Sequence, residues 1–428
     1  MFHLQQLGTN VRTELLAGVT TFLGMAYIAF VNPSILAAAG IDQGAAFVAT
    51  CVAAALGSAL MGGLANYPIA LAPGMGLNAY FAYTVVGQLG YSWQVGLGAV
   101  FVSGCLFLLL SAVKFRSWLM ASIPAPLRQA ISAGIGLFLG IIGLKNAGIV
   151  VDSPATLVTL GDLSKPQAWL AAGGFAAMVA LDARKVTGAV LLAILGAAAM
   201  GLPLGVTQLQ GIASMPPSIA PTFGQLDIMG ALQAGGLAIV FTFLFVDLFD
   251  TAGTLVGVAH RANLLDEDGQ LPRSGRALIA DSTATIAGAV LGTSTTTSYI
   301  ESTLGVQAGG RSGLTAITVA GCFLLCLFFS PLAASVPAWA TAPALVYVAC
   351  LMARGLADLP WEDPTDYAPA VLCALAMPLT FSIATGIGFG FVSYVAIKAL
   401  AGRRKDLNPS VVVIAALFVV KWGPLAGG

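Results

Sequence analysis

The sequence predicts an all-α polytopic membrane protein, because the chain is strongly apolar, its apolar segments recur at membrane-spanning length, and its two halves resemble each other. Of the 428 residues, 58% are hydrophobic and 8% are charged. Soluble domains carry about 25% charged residues, so the expected surroundings are a lipid bilayer. The formal net charge is zero and the sequence shows no basic patch, which argues against nucleic acid as a partner.

The apolar segments predict about fourteen transmembrane helices, since most approach the roughly 20 residues that cross a bilayer. The first set lies at residues 14–38, 44–65, 69–88, 93–113, 127–145, 167–182 and 186–203. The second set lies at residues 231–257, 278–294, 296–309, 312–331, 341–357, 367–383 and 385–401. Residues 411–422 form one further apolar piece, for which the sequence leaves an interfacial and a re-entrant helix open.

Basic residues predict the orientation of these spans. With the N-terminus in the cytoplasm, the cytoplasmic loops would hold Lys114, Arg116, Arg128, Arg184, Lys185, His260, Arg261, Arg273, Arg276 and the tail Arg403, Arg404 and Lys405. The opposite loops hold mainly Lys145 and Lys165. This asymmetry follows the positive-inside rule. We therefore expect a multi-pass protein of the cell (inner) membrane with both termini in the cytoplasm.

An internal repeat predicts the architecture. Residues 96–110 and 313–327 are about half identical, and shorter matches occur in the same order on either side. Because each repeat holds an odd number of spans, the second repeat (231–408) must be inverted relative to the first (1–204). Residues 205–230 would connect them, and residues 409–428 would form a short apolar tail. Inverted repeats are typical of transporters that work by alternating access and bind substrate near the bilayer midplane.

Two predicted spans carry interruptions at corresponding places. The third span contains Ala72–Asn78, in which Pro73 removes a backbone donor. The tenth contains a run of Ser and Thr that ends at Glu301. A carboxylate at that depth costs about 2.5–3.5 kcal/mol on insertion scales, and irregular backbone in a membrane is tolerated only inside protein or beside a cavity. Paired interruptions of this kind indicate a transport site.

Further acidic residues lie close to these interruptions in the predicted fold. Asp247 and Asp250 are three residues apart in the eighth span, so both could face one cavity. Each of them, like Glu301 and Asn78, could instead stabilise the backbone of its own segment. Asp281, near the start of the ninth span, could cap a helix N-terminus or take part in proton coupling.

This constellation predicts a transporter rather than an enzyme. The sequence has no Walker motif, no Ser-His-Asp set and no zinc-ligand spacing, so we expect no catalytic residue, metal or cofactor. Two buried acids and an amide suit a neutral, flat ligand that makes hydrogen bonds. A buried carboxyl group that binds a proton together with the ligand would make the protein a symporter.

Four motifs carry a resemblance to a known family. Residues Glu14–Pro33, Ala72–Phe81, Phe245–Thr254 and Gly292–Ser302 resemble the AzgA-like adenine/guanine/hypoxanthine permeases, a branch of the nucleobase–cation symporters in the nucleobase/ascorbate transporter superfamily. The resemblance implies fourteen spans in two inverted repeats and short strands in spans three and ten. It also implies a core domain from spans 1–4 and 8–11, a gate domain from spans 5–7 and 12–14, a homodimer, and purine uptake with protons.

The resemblance also implies roles for individual residues. The implied substrate-binding residues are Asp247, Glu301, Asn78, Tyr299, Ile300, Ser302 and Thr251, and the candidates for proton coupling are Glu301, Asp247, Asp250 and Asp281. Ile300 would contribute through its backbone and Tyr299 by stacking on the base. Two alternatives stay open, namely sodium in place of the proton and a sulfate-type anion carrier of the same fold.

Overall fold

The computed structural model describes residues 2–112, 123–262, 264 and 271–422. Its α-helices are α1 (Val11–Met25), α2 (Ile28–Ala37), α3 (Gln43–Leu60), α4 (Met75–Ala79), α5 (Trp93–Ala112), α6 (Ala125–Asn146), α7 (Pro166–Ala183), α8 (Ala189–Gly201), α9 (Ile228–Leu232), α10 (Ala234–Arg261), α11 (Ser274–Leu291), α12 (Ser302–Gln307), α13 (Gly313–Cys326), α14 (Ser330–Ser335), α15 (Ala338–Ala353), α16 (Pro364–Leu379), α17 (Ile383–Leu400) and α18 (Pro409–Trp422). Its strands are β1 (Leu71–Pro73), β2 (Val150–Ser153), β3 (Leu157–Leu160) and β4 (Thr296–Ser298).

Each predicted span has a counterpart that begins within four residues of the predicted start. By length and composition, seven described helical stretches could cross a membrane: Val11–Ala37, Gln43–Ala65, Trp93–Ser111, Ala125–Asn146, Gly313–Ser335, Ala338–Asp358 and Ile383–Leu400. The chain is therefore a multi-pass helical membrane protein, whereas the count of fourteen crossings and the inverted repeat stay predictions. Lys114 and Arg116, used above for the orientation, and residues 423–428 of the tail lie outside the described residues.

Contacts divide the chain into two compact units. The first unit comprises Met1–Ala112 with Gly143–Ala344, and the second comprises Val113–Ile142 with Leu345–Gly428. The first unit holds both strand pairs and every residue predicted to bind substrate or couple protons. The assignment of spans to core and gate domains stays a prediction.

The first predicted span is two helices with a break between them. Asn10 caps α1 by accepting a hydrogen bond from the Thr13 amide at 3.0 Å, and α1 ends at Met25. α2 begins at Ile28, after the two intervening residues Ala26 and Tyr27, and it contains Pro33. Because Pro33 has no amide hydrogen, it cannot donate to the carbonyl of Ala29, which lies two residues after Tyr27.

The interrupted spans three and ten meet in an antiparallel strand pair. β1 pairs with β4 so that Ala72 lies opposite Thr297, and all six strand residues are buried. Beyond the strands, the Gly74 amide donates to the Thr295 carbonyl at 2.9 Å, and the Tyr299 amide donates to the Ala70 carbonyl at 3.0 Å. The interrupted segments of spans three and ten thus satisfy each other's backbone hydrogen bonds. Such pairing allows non-helical backbone to lie at membrane depth, where no water is present to satisfy these groups.

An apolar cluster supports this strand pair from one side. It packs the end of α3 and β1 against α10 and α11, and its buried members include Tyr67, Leu71, Leu255, Val258 and Ala280. A short helix follows each strand, α4 after β1 and α12 after β4. The strand pair, the two short helices and the long helices α10 and α11 together place the polar side chains described below.

The second unit contains a buried ammonium group where α16 and α17 meet. Lys398 is 3% exposed, and its Nζ lies 2.8 Å from Asp366 Oδ1 and 3.9 Å from both Asp363 and Asp406. Arg403 forms a further ion pair with Asp363. α18 packs on α17, with the Trp422 and Phe389 ring centroids 5.0 Å apart. At about 1.5 Å per residue this helix is too short to cross the bilayer core.

Candidate functional site

Two carboxylates from neighbouring helices share one hydroxyl group in the first unit. The Thr251 Oγ1 atom of α10 donates to Asp281 Oδ2 of α11 at 2.9 Å and lies 3.4 Å from Asp247 Oδ1. Asp247 and Thr251 are four residues apart, so they share a face of α10. All three side chains are buried. The sequence therefore folds two acids and a hydroxyl from α10 and α11 into one polar cluster.

Strand β4 completes this cluster. Thr297 Oγ1 lies 2.8 Å from Thr251 Oγ1, and Ser298 Oγ lies 3.5 Å from Asp281 Oδ1. A hydroxyl group donates only one proton, so the donation of Thr251 to Asp281 leaves Thr297 as the donor to Thr251. The strand side chains thereby connect the acids to the interrupted tenth span.

The alternative interpretation of Asp281 as a helix cap is wrong. α11 begins at Ser274, and the residue that precedes it is Arg273, in the left-handed region with φ 62°. Asp281 lies two turns into the helix and is buried against Thr251 and Ser298. The sequence argument failed here because the apolar run that marked the span begins later than the helix itself.

Glu301 is held by the first predicted span. The Tyr27 hydroxyl donates to Glu301 Oε1 at 2.7 Å. Asp250 of α10 lies near enough for its charge and that of Glu301 to interact. A β-carbon placed on Gly74 would be 3.7 Å from Asp250 Oδ2, which puts this carboxylate beside the end of β1. Glu301 and Asp250 thus both lie at the strand pair.

Asn78 belongs to a separate buried network. Its Nδ2 donates to Asn32 Oδ1 of α2 at 2.5 Å, and Asn32 Nδ2 donates to Thr50 at 2.8 Å and to Thr293 at 3.0 Å. These four side chains are buried, and Asn78 Oδ1 has no hydrogen-bond partner among the described residues. The network ties α2, α3 and α4 to the segment before β4.

The three residues around Glu301 point in different directions. Tyr299 is buried, and its hydroxyl donates to the Pro73 carbonyl at 2.5 Å. Ser302 is buried and accepts a hydrogen bond from the Ala70 amide at 3.0 Å. Ile300, in contrast, is 44% exposed. Tyr299 and Ser302 therefore fasten the tenth span to β1, in addition to any contact they make with a ligand.

A cavity of about 260 Å³ lies elsewhere in the first unit. It is lined by Asn146, Ala147, Gly148, Asp162, Lys165, Gln167, Ala168, Ala338 and Trp339. None of these is a predicted substrate-binding or proton-coupling residue. The structure therefore brings the polar side chains together around the strand pair and places this cavity at a different position.

Comparison with known proteins decides the family. The sequence profile described as "Permease family" (Xan_ur_permease) matches residues 12–389. The adenine permease AdeP of Escherichia coli (strain K12) is 48% identical over 421 residues, which cover 98% of this chain and 95% of that protein. The chain belongs to this permease family, the nucleobase/ascorbate transporters. The family resemblance seen in the sequence motifs is thus confirmed.

Two further relatives extend the comparison. The guanine/hypoxanthine permease PbuG of Bacillus subtilis (strain 168) is 47% identical over 432 residues, covering 98% of this chain and 97% of that protein. Among solved structures, the transmembrane domain of a cyanobacterium bicarbonate transporter, BicA, matches with a TM-score of 0.68 and 17% identity, covering 88% of this chain and 97% of the other. At 17% identity, the similarity to the BicA structure shows a shared fold alone.

Sequence reasoning did not single out Tyr27 and Asn32 of the first span, although both lie in the motif Glu14–Pro33. Tyr27 contacts Glu301, and Asn32 contacts Asn78. A signal existed, because Asn32 is an amide within an otherwise apolar segment. Such residues are functional candidates by default in a membrane helix. Their partners could not be deduced, since 274 residues separate Tyr27 from Glu301.

Proposed function

We propose that this permease is a secondary active transporter that imports purine nucleobases, namely adenine, guanine and hypoxanthine, by proton symport with alternating access. The observation that carries the proposal is the buried cluster of acids and hydroxyls at the strand pair, with Asp247 and Asp281 joined through Thr251. The names of relatives that align over nearly the whole chain support the substrate class, since AdeP is an adenine permease and PbuG a guanine/hypoxanthine permease.

The chemistry of the cluster suits a purine base. A purine presents ring N–H groups and ring nitrogen acceptors in one plane, so it needs both acceptors and donors from the protein. An ionised carboxylate accepts hydrogen bonds, whereas a protonated one can also donate. We assign base binding to Asp247 and Glu301, with Asn78 and Thr251 as further polar contacts. The residues next to Glu301, namely Tyr299, Ile300 and Ser302, would line the site at the edge of the base that Glu301 contacts.

The same groups support the proposal of proton coupling. Burial disfavours an isolated charge. When a neutral ligand displaces hydrogen-bond partners of a carboxylate in this cluster, the protonated form of that carboxylate therefore becomes more stable relative to the charged form. Glu301 and Asp247 are the first candidates, and Asp250 and Asp281 are the others. A proton that binds with the base and is released with it would drive accumulation inward.

Alternating access is supported by the relation between spans three and ten. Both contain a short strand followed by a short helix, and the strands run antiparallel. An antiparallel pair is the arrangement expected of equivalent segments from inverted repeats that meet at a two-fold axis. The proposal further includes fourteen spans, a core and a gate domain, and a homodimer. It also places the protein in the inner membrane with both termini in the cytoplasm.

The experiment is uptake of radiolabelled hypoxanthine into proteoliposomes under an imposed inward proton gradient. Unlabelled adenine, guanine, xanthine, uracil and sulfate serve as competitors, and a sodium gradient replaces the proton gradient in a parallel set. Accumulation that needs the proton gradient and is blocked by adenine or guanine, but not by uracil, would support the proposal. Accumulation driven by a sodium gradient alone would show that sodium, not the proton, is the coupling ion. Inhibition by sulfate alone would indicate an anion carrier in place of a purine transporter.

A further inference from the structure

We propose that Tyr27 is a positioning residue that holds the Glu301 carboxylate at the site, and that the irregular turn of the first span exists to place its hydroxyl there. This inference rests on the proposed function, because it assumes that Glu301 contacts the base. It adds a residue of the first span, which supplies none of the residues assigned above to base binding or proton coupling. The three observations that carry it are the hydrogen bond, the local geometry of Glu301 and the break in the first span.

The hydrogen bond has the usual length of an O–H···O bond and is partly buried. Tyr27 is 1% exposed, and its hydroxyl donates to Glu301 Oε1 at 2.7 Å. Hydrogen bonds to a carboxylate in a low-dielectric interior are stronger than those between neutral groups. A tyrosine also has only two rotatable side-chain bonds, so a buried ring directs its hydroxyl with little freedom.

Glu301 is not held by a helix-capping contact. It is the residue immediately before α12, yet its side chain makes no capping hydrogen bond to that helix. Its carboxylate instead reaches the first span. Gly24 allows this approach, since a β-carbon there would be 3.7 Å from the Glu301 β-carbon and would collide with Leu304. The first span therefore runs directly against the start of α12.

The break in the first span places Tyr27 at this point. Backbone hydrogen bonds that span three residues occur here, from the Ala29 amide to the Ala26 carbonyl at 3.1 Å and from the Phe30 amide to the Tyr27 carbonyl at 3.0 Å. The Tyr27 carbonyl also accepts the ordinary helical bond from the Val31 amide at 3.0 Å. Such a tightened turn within a helix often marks a functional position. Five residues further on, Asn32 contacts Asn78 in the same unit. The first span thereby contacts both polar residues predicted from spans three and ten.

The test compares Tyr27→Phe with Tyr67→Phe in reconstituted hypoxanthine uptake. Both variants remove one hydroxyl from a buried tyrosine of the first unit, but Tyr67 packs in the apolar cluster with its ring 5.1 Å from Arg273. We expect Tyr27→Phe to raise KM about tenfold, with kcat within about twofold of wild type, since about 1.4 kcal/mol of lost positioning equals a factor of ten. Tyr67→Phe should leave KM within about twofold.

A second measurement shows whether Tyr27 acts through Glu301. Thermal unfolding without ligand is compared among Tyr27→Phe, Glu301→Ala and the double variant, which forms a double-mutant cycle. We expect Tyr27→Phe to lower Tm in the wild-type background and to leave Tm unchanged in Glu301→Ala. If Tyr27→Phe is not recovered folded, Tyr27→His, which retains a donor, takes its place and should keep KM within about threefold.

Each contrary outcome overturns a distinct claim. An unchanged KM in Tyr27→Phe, or an equal rise of KM in Tyr67→Phe, would overturn the positioning role. Uptake by the wild type would in either case leave the proposed function standing. Additive losses of Tm would overturn the link to Glu301. Absence of purine uptake by the folded wild type would overturn the proposed function and this inference with it.

Discussion

Thr251 donates a hydrogen bond of 2.9 Å to Asp281, and this contact joins the eighth and ninth predicted spans beside the strand pair. The same hydroxyl lies 2.8 Å from Thr297 and 3.4 Å from Asp247. A single side chain therefore links two buried acids with β4. A substitution of Thr251 therefore disturbs several contacts of the cluster at once without removing a charged group.

We predict that Thr251→Val lowers the free energy of unfolding by about 1–3 kcal/mol, because Asp281 and Thr297 would lose a buried partner. Hypoxanthine uptake should fall at least tenfold, whereas Thr251→Ser, which retains the hydroxyl, should keep most of it. Thr318→Val is the matched control, since among the described residues the Thr318 hydroxyl bonds only to the Leu314 carbonyl of its own helix, at 2.8 Å. Uptake and Tm of Thr251→Val equal to those of this control would contradict the linking role.

Asp247→Asn should abolish high-affinity binding of the base. Asn keeps the size of the side chain but replaces one acceptor oxygen by an amide donor, so a ring N–H group of the purine would meet the wrong partner. The measurement is the rise in Tm of purified protein on addition of adenine, guanine or hypoxanthine. A rise close to that of the wild type in the variant would show that Asp247 does not contact the base.

Glu301→Gln should retain part of the binding and weaken proton coupling. The amide can still accept the hydrogen bond from Tyr27 but cannot take up and release a proton at physiological pH. Exchange of labelled for unlabelled hypoxanthine should persist, while accumulation driven by the proton gradient should fall at least tenfold. Accumulation with an unaltered dependence on external pH would assign the proton to another acid.

Glu14 stabilises the start of α13 from the first span. Glu14 is buried, and its carboxylate accepts from the Arg311 amide at 2.9 Å, the Ser312 amide at 3.2 Å and the Thr315 hydroxyl at 2.6 Å. An acid at a helix N-terminus satisfies free amides and complements the helix dipole.

We expect Glu14→Ala to destabilise the protein by about 1–3 kcal/mol, because buried donors would lose their acceptor. Glu14→Gln, which retains one acceptor oxygen, should cost less. Thermal unfolding in detergent measures both variants, with the exposed Glu362→Gln as the control. A Tm of Glu14→Ala equal to that of the control would show that these donors find other acceptors.

The acid Asp363 gives a pH dependence outside the membrane. Hydrogen bonds from Thr365, joined by the neighbouring Arg403, hold the pKa of Asp363 at about 2, below its ordinary value of 3.8. A depressed pKa in the folded state contributes stability above the unfolded-state pKa, and this contribution is lost as the pH falls from about 4 through about 2. The difference in Tm between wild type and Asp363→Asn should therefore be constant above pH 5 and shrink on acidification. A difference that does not change between pH 5 and pH 2 would contradict this role of the carboxylate.

Local features were predictable from the sequence because they depend on neighbouring residues. Pro73 and the Ser/Thr run before Glu301 mark the two interrupted spans, and strands β1 and β4 lie at those places. The start of α11 at Ser274 was missed, since its first turn is not apolar. Helix boundaries follow hydrogen bonding rather than hydropathy alone, and the error changed the interpretation of Asp281.

By itself the sequence determined the membrane class, the family and the positions of the apolar segments, since composition, segment length and motif order are properties of the chain. Only the tertiary structure decided which polar groups meet. The register of Ala72 opposite Thr297, the bond from Thr251 to Asp281 and the bond from Tyr27 to Glu301 join residues far apart in the chain. Such contacts are selected because buried polar groups must find partners in the packed interior, and no local pattern specifies which partner that is.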